Sequence, residues 1–215
     1  MTTIYFVWIQ GVDHIPTRML ENIDFVKKQN PDYNVILYDL ELFKVFLKDK
    51  PKYLSNYLSR INKKCYAMVA DYIRMILLYY NGGVYMDVKT RPKTPLNTFI
   101  KEDKSYVFYV DLWEEYGNHF LVANKGNTLY KDMIEQMCKN IDDYVYDAKI
   151  RPKYAIFKLT GTKLFTDLIE NNDYDNLIKI EGNTTKKLIQ YSCVKYHHSF
   201  YKSYKTFDET LCSGV

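Results

Sequence analysis

The most constraining feature of this chain is the sixteen-residue run from Cys65 to Tyr80, followed by Asn81-Gly82-Gly83 and then Val84-Tyr85-Met86-Asp87-Val88. Val69, Tyr72, Ile73, Ile76, Leu77 and Tyr80 fall at i, i+3, i+4, i+7, i+8 and i+11, one apolar stripe of a helix. Ala67, Met68, Ala70, Met75 and Leu78 make the other sides apolar too, so the helix is expected to be buried nearly all round. A glycine directly after the periodic residues supplies a left-handed stop. The short apolar run from Val84 to Val88 then reads as a central strand.

The opening of the chain follows the same logic. Ile4 to Ile9 is a β-rich apolar run without helical spacing, and Asp13-His14-Ile15-Pro16 breaks it. Thr17 to Gln29 reads as a helix, Asn30-Pro31-Asp32 as a turn, Tyr33 to Tyr38 as a strand and Leu40 to Leu47 as a helix. This β-α-β-α order predicts an α/β protein with a parallel, nucleotide-binding type of sheet. Pro92 and Pro95 force an extended loop. Further strands are expected at Ser105 to Asp111, His119 to Ala123, Leu177 to Ile180 and Leu188 to Val194, and further helices at Thr128 to Tyr144 and Gly161 to Asn171. No repeat or low-complexity linker interrupts the pattern, so residues 1–215 are expected to form one domain, whose abrupt ending is compatible with a piece of a longer protein.

Composition excludes several classes. Hydrophobic residues at 47% and charged residues at 26% argue for a folded chain. A net charge of +4 without a continuous Lys/Arg stripe favours anionic ligands such as diphosphates and argues against nucleic acid. Segments such as Lys48 to Lys52 read as solvated faces. Cys65, Cys138, Cys193 and Cys212 form no CxxC pair, which argues against a zinc site or a disulfide framework. There is no signal-peptide pattern and no uncharged apolar stretch long enough to span a membrane, so a soluble, cytoplasmic protein is expected. Usage rich in Lys, Asn, Tyr and Ile is compatible with an AT-rich genome such as that of a large DNA virus, in which case the host cytoplasm is meant. The 22 tyrosines can line a polar cleft or simply pack a core.

Asp71 and Arg74 are the charges inside the apolar helix, and at i, i+3 they share one face. A buried charge must be paired or ligated. On periodicity alone, a structural ion pair and a ligand site are equally good readings. Asp87 stands at the far end of its strand, where ligands of open α/β sheets bind. A carboxylate there can meet a metal–diphosphate or ribose hydroxyls, or merely cap a turn.

Together these residues resemble the DXD-containing sugar-transferase family, typified by fungal initiating α-1,6-mannosyltransferases and the catalytic domain of large clostridial glucosylating toxins. Ala70, Asp71, Arg74, Tyr79, Gly82, Gly83, Tyr85 and Asp87 fall in register with that family's pattern. Weaker echoes are Trp8 with Pro16, Asn30-Pro31-Asp32-Tyr33, Asn118-His119-Phe120 through Lys125-Gly126-Asn127, Thr160-Gly161-Thr162 and His197-His198-Ser199-Phe200. The resemblance implies a GT-A (Rossmann-like) fold, with a mixed, mostly parallel sheet flanked by helices. It implies a retaining glycosyltransferase that moves a hexose from a UDP- or GDP-sugar to a glycan or glycoprotein acceptor. It places Trp8 on the nucleotide base, Asp71 and Arg74 at the ribose or sugar, and Asp87 at the sugar–diphosphate junction, with Gly83 and Tyr85 nearby and His197 or His198 completing a metal or phosphate site. Lys89 departs from the family pattern, standing where a second aspartate would hold the metal. An ammonium cannot coordinate a cation but can neutralise a leaving diphosphate. Two schemes follow: a metal-independent enzyme using Lys89, or Mn²⁺ or Mg²⁺ held by Asp87 with a histidine. A non-catalytic sugar-nucleotide or glycan-binding module of the same fold is the alternative. Asp111, after a predicted strand, is a further candidate for a sugar hydroxyl or the acceptor. Trp113 reads as an acceptor platform or a packed aromatic.

Overall fold

A computed structural model describes residues 2–145, 147, 149–150 and 152–191. The chain opens with β1 (Thr3–Val7), α1 (Thr17–Gln29), β2 (Asn34–Tyr38) and α2 (Leu40–Leu47). Asp39 caps α2, its carboxylate accepting from the Leu42 amide at 2.8 Å. Next come α3 (Lys52–Arg60), α4 (Tyr66–Asn81), β3 (Gly83–Met86) and the two-residue β4 (Arg91–Pro92). The second half contains β5 (Ser105–Val110), β6 (Glu115–Ala123), α5 (Thr128–Asp142), α6 (Pro152–Leu159), α7 (Thr162–Asn171), β7 (Leu177–Ile180), α8 (Gly182–Leu188) and β8 (Ile189–Gln190).

Six strands form one sheet in the order β2-β1-β3-β6-β5-β7, and β4 pairs with β8 separately. β1 runs parallel to β2 and β3, and β5 to β7, whereas β6 is antiparallel to both of its neighbours. The sheet is therefore mixed and mostly parallel, as expected. One consequence positions the site. The carboxyl ends of β1, β2, β3, β5 and β7 lie along one edge, and the amino end of β6 meets them there.

Each face of the sheet carries a core. On one face, α4 packs Met68, Val69, Tyr72, Ile73, Ile76 and Leu77 against β1, β3 and β6, with α5 and α7 beside it. Each such side chain contributes on the order of 1.5–3 kcal/mol on burial, so an apolar helix this long is the principal anchor of that layer. On the other face, Met19, Ile23 and Val26 of α1 meet Phe6, Met86 and Phe120. Gly83 sets the close approach of β3 to β1. Its φ is +103°, and a Cβ there would lie 2.5 Å from the Thr3 carbonyl oxygen of β1. A side chain would both strain the backbone and prise β3 from β1.

The helices at Thr17–Gln29 and Leu40–Leu47 start and stop where the pattern predicts. The helices α3, α6 and α8 are additions. In α3 the buried residues are Leu54 and Leu58, a stripe too narrow to stand out among Lys, Ser, Asn and Tyr. The late strand expected over Leu188 to Val194 is, within the described residues, the two-residue β8, because Leu188 ends α8. Pro92, expected in a loop, sits in β4, where a residue without an N–H is tolerated in a short edge pairing.

Candidate functional site

The site begins on α4. Asp71 and Arg74 are 5% exposed each and lie 3.2 Å apart, Oδ1 to Nη2. Neither is left with bulk water as its partner. The Asn118 amide donates to Asp71 Oδ1 at 2.9 Å, and the Thr160 hydroxyl donates to Oδ2 at 3.1 Å. Arg74 donates to the carbonyls of Asn118 (2.5 Å) and Ala70 (3.2 Å), and its guanidinium lies 4.4 Å above the Tyr85 ring. Burial pushes the Asp71 carboxyl up to about 7, against the opposing pull of Arg74 and the two hydrogen bonds.

This network ends on Asp87. Its Oδ1 accepts from the Tyr85 hydroxyl at 2.8 Å and lies 3.4 Å from Arg74 Nη1. The side chains of Asp71 and Arg74 are 7% and 6% exposed, that of Asp87 26%. Asp87 is thus the accessible tip of a buried ion network, and Asp71 and Arg74 are its foundation. The Asp87 amide donates to the His119 carbonyl, which ties the strand end to β6.

Lys89 lies in the turn that follows. The Thr90 amide closes the turn on the Asp87 carbonyl at 2.8 Å. Asn22 of α1, itself buried, donates its side-chain amide to the carbonyls of Val88 (3.0 Å) and Thr90 (3.1 Å). The helix therefore clamps the Asp87–Thr90 turn from below.

A break in β6 makes the arrangement possible. Tyr106 pairs with Val122 but Phe108 with Gly117, so two steps along β5 match five along β6. The bulge interrupts the strand's alternation. Asn118 turns toward Asp71, while His119 packs against Trp113 and Tyr191, with ring centroids at 5.7 and 4.3 Å. His119 is buried, and neither ring nitrogen has a hydrogen-bond partner among the described residues; the same is true of the Tyr191 hydroxyl. Burial holds the imidazole down to about 4.

The structure thus brings Asp71, Arg74, Tyr85 and Asp87 together, with Lys89 in the adjoining turn. It separates others. Gly83 is at the amino end of β3, a strand's length from Asp87, because its constraint is the close approach to β1. Tyr85 is buried and serves Asp87 and Arg74 rather than open space. Trp8 stands just beyond β1 on the same edge as Asp87, but it is 7% exposed and packed in the core, its Nε1 unpartnered among the described residues. Asp111 is engaged elsewhere, its carboxylate accepting from Lys186 Nζ at 2.6 Å. His197 and His198 lie outside the described residues. Among those described, no three His, Cys, Asp or Glu side chains form a metal-ligating group. The Asp87 oxygen nearest Arg74 is already engaged by two donors. The described residues alone do not fit a divalent cation.

Asn22, Asn118, Thr160 and His119 carry the site without having been assigned a role from the sequence. Asn22 had a signal, since it occupies an inward position of α1 with Met19, Ile23 and Val26. Asn118 and Thr160 belong to the weaker echoes, but their partner Asp71 is remote in sequence.

Residues 16–106, which span α1 to the start of β5, match the family described as the glycosyltransferase sugar-binding region containing a DXD motif. Over that stretch the chain is similar to the sugar-binding region of the DXD-type glycosyltransferases. It is 25% identical over 187 residues to an uncharacterized glycosyltransferase of Acanthamoeba polyphaga mimivirus, covering 83% of this chain and 70% of that one. Among solved structures it is similar to the PaToxG glycosyltransferase, with TM-score 0.61, 19% identity and coverage of 79% of this chain and 69% of that one. It is also similar to the UDP-bound glycosyltransferase domain of the YGT toxin, with TM-score 0.59, 9% identity and coverage of 83% and 79%. The fold is therefore that of the GT-A glycosyltransferases. No helix among the described residues is long and apolar enough to cross a membrane.

Proposed function

We propose that this chain is a retaining hexosyltransferase that takes a UDP- or GDP-sugar as donor and a glycan or glycoprotein as acceptor, in the cytoplasm of the cell that makes it. One observation carries the reading: Asp87 is the half-buried, solvent-reaching end of the buried Asp71–Arg74–Tyr85 network at the carboxyl end of β3, with Lys89 two residues on. A likeness to a UDP-bound domain supports a nucleoside diphosphate as the donor's leaving half.

In this reading the bond between the anomeric carbon and the diphosphate oxygen breaks, and the diphosphate departs with the electron pair. The acceptor hydroxyl oxygen bonds to the same face of that carbon, and its proton passes to the departing diphosphate. Lys89 meets the charge that develops on the leaving group, with Arg74 adding to the local potential from beneath. Asp87 accepts hydrogen bonds from donor hydroxyls and orients the sugar. Asp71 and Arg74 act as positioning residues, because their polar atoms are committed to Asn118, Thr160, Ala70 and each other. A divalent cation held by Asp87 together with His197 or His198 would supply the same charge neutralisation; no step above depends on it.

The test is slow hydrolysis of a panel of UDP-, GDP- and TDP-sugars, each with Mn²⁺ and with EDTA. Hydrolysis that persists in EDTA and disappears in Lys89→Ala is the expected result. Hydrolysis that requires Mn²⁺ would assign the charge neutralisation to a metal instead. Failure to bind any sugar nucleotide would overturn the proposal.

A further inference from the structure

A second concave surface lies on the same edge of the sheet. The carboxyl ends of β5 and β7 open into a cleft of about 400 Å³ lined by Tyr109, Asp111, Tyr116, Lys179, Glu181 and Asn183, among others. Its floor is tight, since a Cβ on Gly182 would fall 1.6 Å from Asp111 Oδ1. The rings of Tyr109 and Tyr116 stand nearly perpendicular, with centroids 5.2 Å apart. The adjoining hairpin turn presents Leu112 and Trp113, 85% and 49% exposed.

The place of this cleft relative to Asp87 follows from topology. β6 alone separates β3 from β5, and both strands end on the shared edge. Two interstrand steps amount to about 10 Å, which is the length of one or two sugar rings. Trp113, which packs on His119 beside Asp87, stands between the two positions.

The chemistry of the cleft differs from that of the donor side. Around Asp87 the charges are paired, with Arg74 bridging the Asp71 and Asp87 carboxylates and Lys89 in the adjoining turn. The cleft offers the carboxylates of Asp111 and Glu181, and its two nearby ammonium groups are engaged, Lys186 by Asp111 and Lys179 by the Ile169 carbonyl at 2.9 Å. Tyrosine rings, carboxylates and an amide suit the apolar faces and hydroxyls of a pyranose, and with Asp111 and Glu181 balanced by Lys186 and Lys179 the cleft has no net charge to favour an ionic ligand.

Resting on the transferase reading, we propose that this cleft is the acceptor subsite and that the acceptor is an uncharged oligosaccharide, packed on Tyr109 and Tyr116 and bonded through its hydroxyls to Glu181 and Asn183. The experiment is an array of neutral and sialylated oligosaccharides probed with the full chain, alongside calorimetric titration of UDP-glucose and GDP-mannose. Neutral oligosaccharides are expected to bind, and Tyr109→Ala and Glu181→Gln each to weaken them roughly tenfold, with donor affinity held within about twofold. Glu181 is exposed, so its variant separates recognition from folding. Binding of sialylated glycans alone, binding of no neutral glycan, or binding undiminished in both variants would overturn the proposal. Donor binding that persists in those cases leaves the transferase reading standing. Neutral-glycan binding without any donor binding keeps the cleft and removes the transferase.

Discussion

The Tyr85 hydroxyl donates to Asp87 at 2.8 Å, two residues further along the chain, while the Arg74 guanidinium covers the Tyr85 ring. Tyr85 thus orients the partly exposed carboxylate through its tip and the buried cation through its face. Tyr85→Phe keeps the ring and removes the tip. It is expected to lower kcat/KM for sugar-nucleotide turnover about tenfold while costing roughly 0.5–1.5 kcal/mol of stability. Steady-state kinetics and urea denaturation on the same preparation check both parts.

Arg74 is the charge that compensates Asp71. Arg74→Met would leave a carboxylate buried beside apolar side chains, and about 3–5 kcal/mol of stability is expected to be lost near neutral pH. Asp71→Asn in the same background should recover much of that loss. Chemical denaturation of the single and double variants measures the coupling directly.

Asn22 has no reach to a ligand in the proposed scheme, yet it holds the turn that carries Lys89. Asn22→Leu is expected to cost about 1–3 kcal/mol through two unpaired buried carbonyls. It should also raise KM for the donor, because the turn from Asp87 to Thr90 loses its clamp. Unchanged donor KM in a folded Asn22→Leu protein would show that the turn holds its shape without it.

Asp71 and His119 bend the pH dependence in opposite directions. Asp71 is raised from 3.8 to about 7, so the folded state binds more protons than the unfolded one between those values, and this group's contribution declines as pH rises through that window. His119 is lowered from 6.5 to about 4, so its contribution is present above 6.5 and is lost as pH falls toward 4. In Asp71→Asn the stability should therefore rise more steeply between pH 4 and pH 6.5 than in the parent protein. Denaturation midpoints across that range test the sign, and the His119 ring resonances should not titrate between pH 5.5 and pH 8.

The legible part of this chain was the part written in local periodicity. α1 and α2 were bounded by their stripes and α1 also by Pro16, and α4 with β3 by a continuous apolar run and a glycine stop. The α3 helix was missed because two buried leucines make a weak stripe, and α6 and α8 because no comparable run marks them.

By itself the sequence determined the α/β class, the placing of Asp71 and Arg74 on one helix face, and the strand that ends on Asp87, since each depends on residues within a few turns of one another. Tertiary structure decided which of these residues meets solvent. Asn118 and Thr160 reach Asp71 from 47 and 89 residues away, and only the bulge in β6 turns Asn118 toward that face. It also decided that Gly83 serves the β1–β3 approach, and that Asp111 pairs with Lys186 beside a separate cleft. Periodicity reports which face of its own element a residue occupies. Which distant carbonyl, hydroxyl or charge stands opposite is set by how the layers close, and the burial of Asp71 and Arg74 beneath a partly exposed Asp87 is a property of that closure.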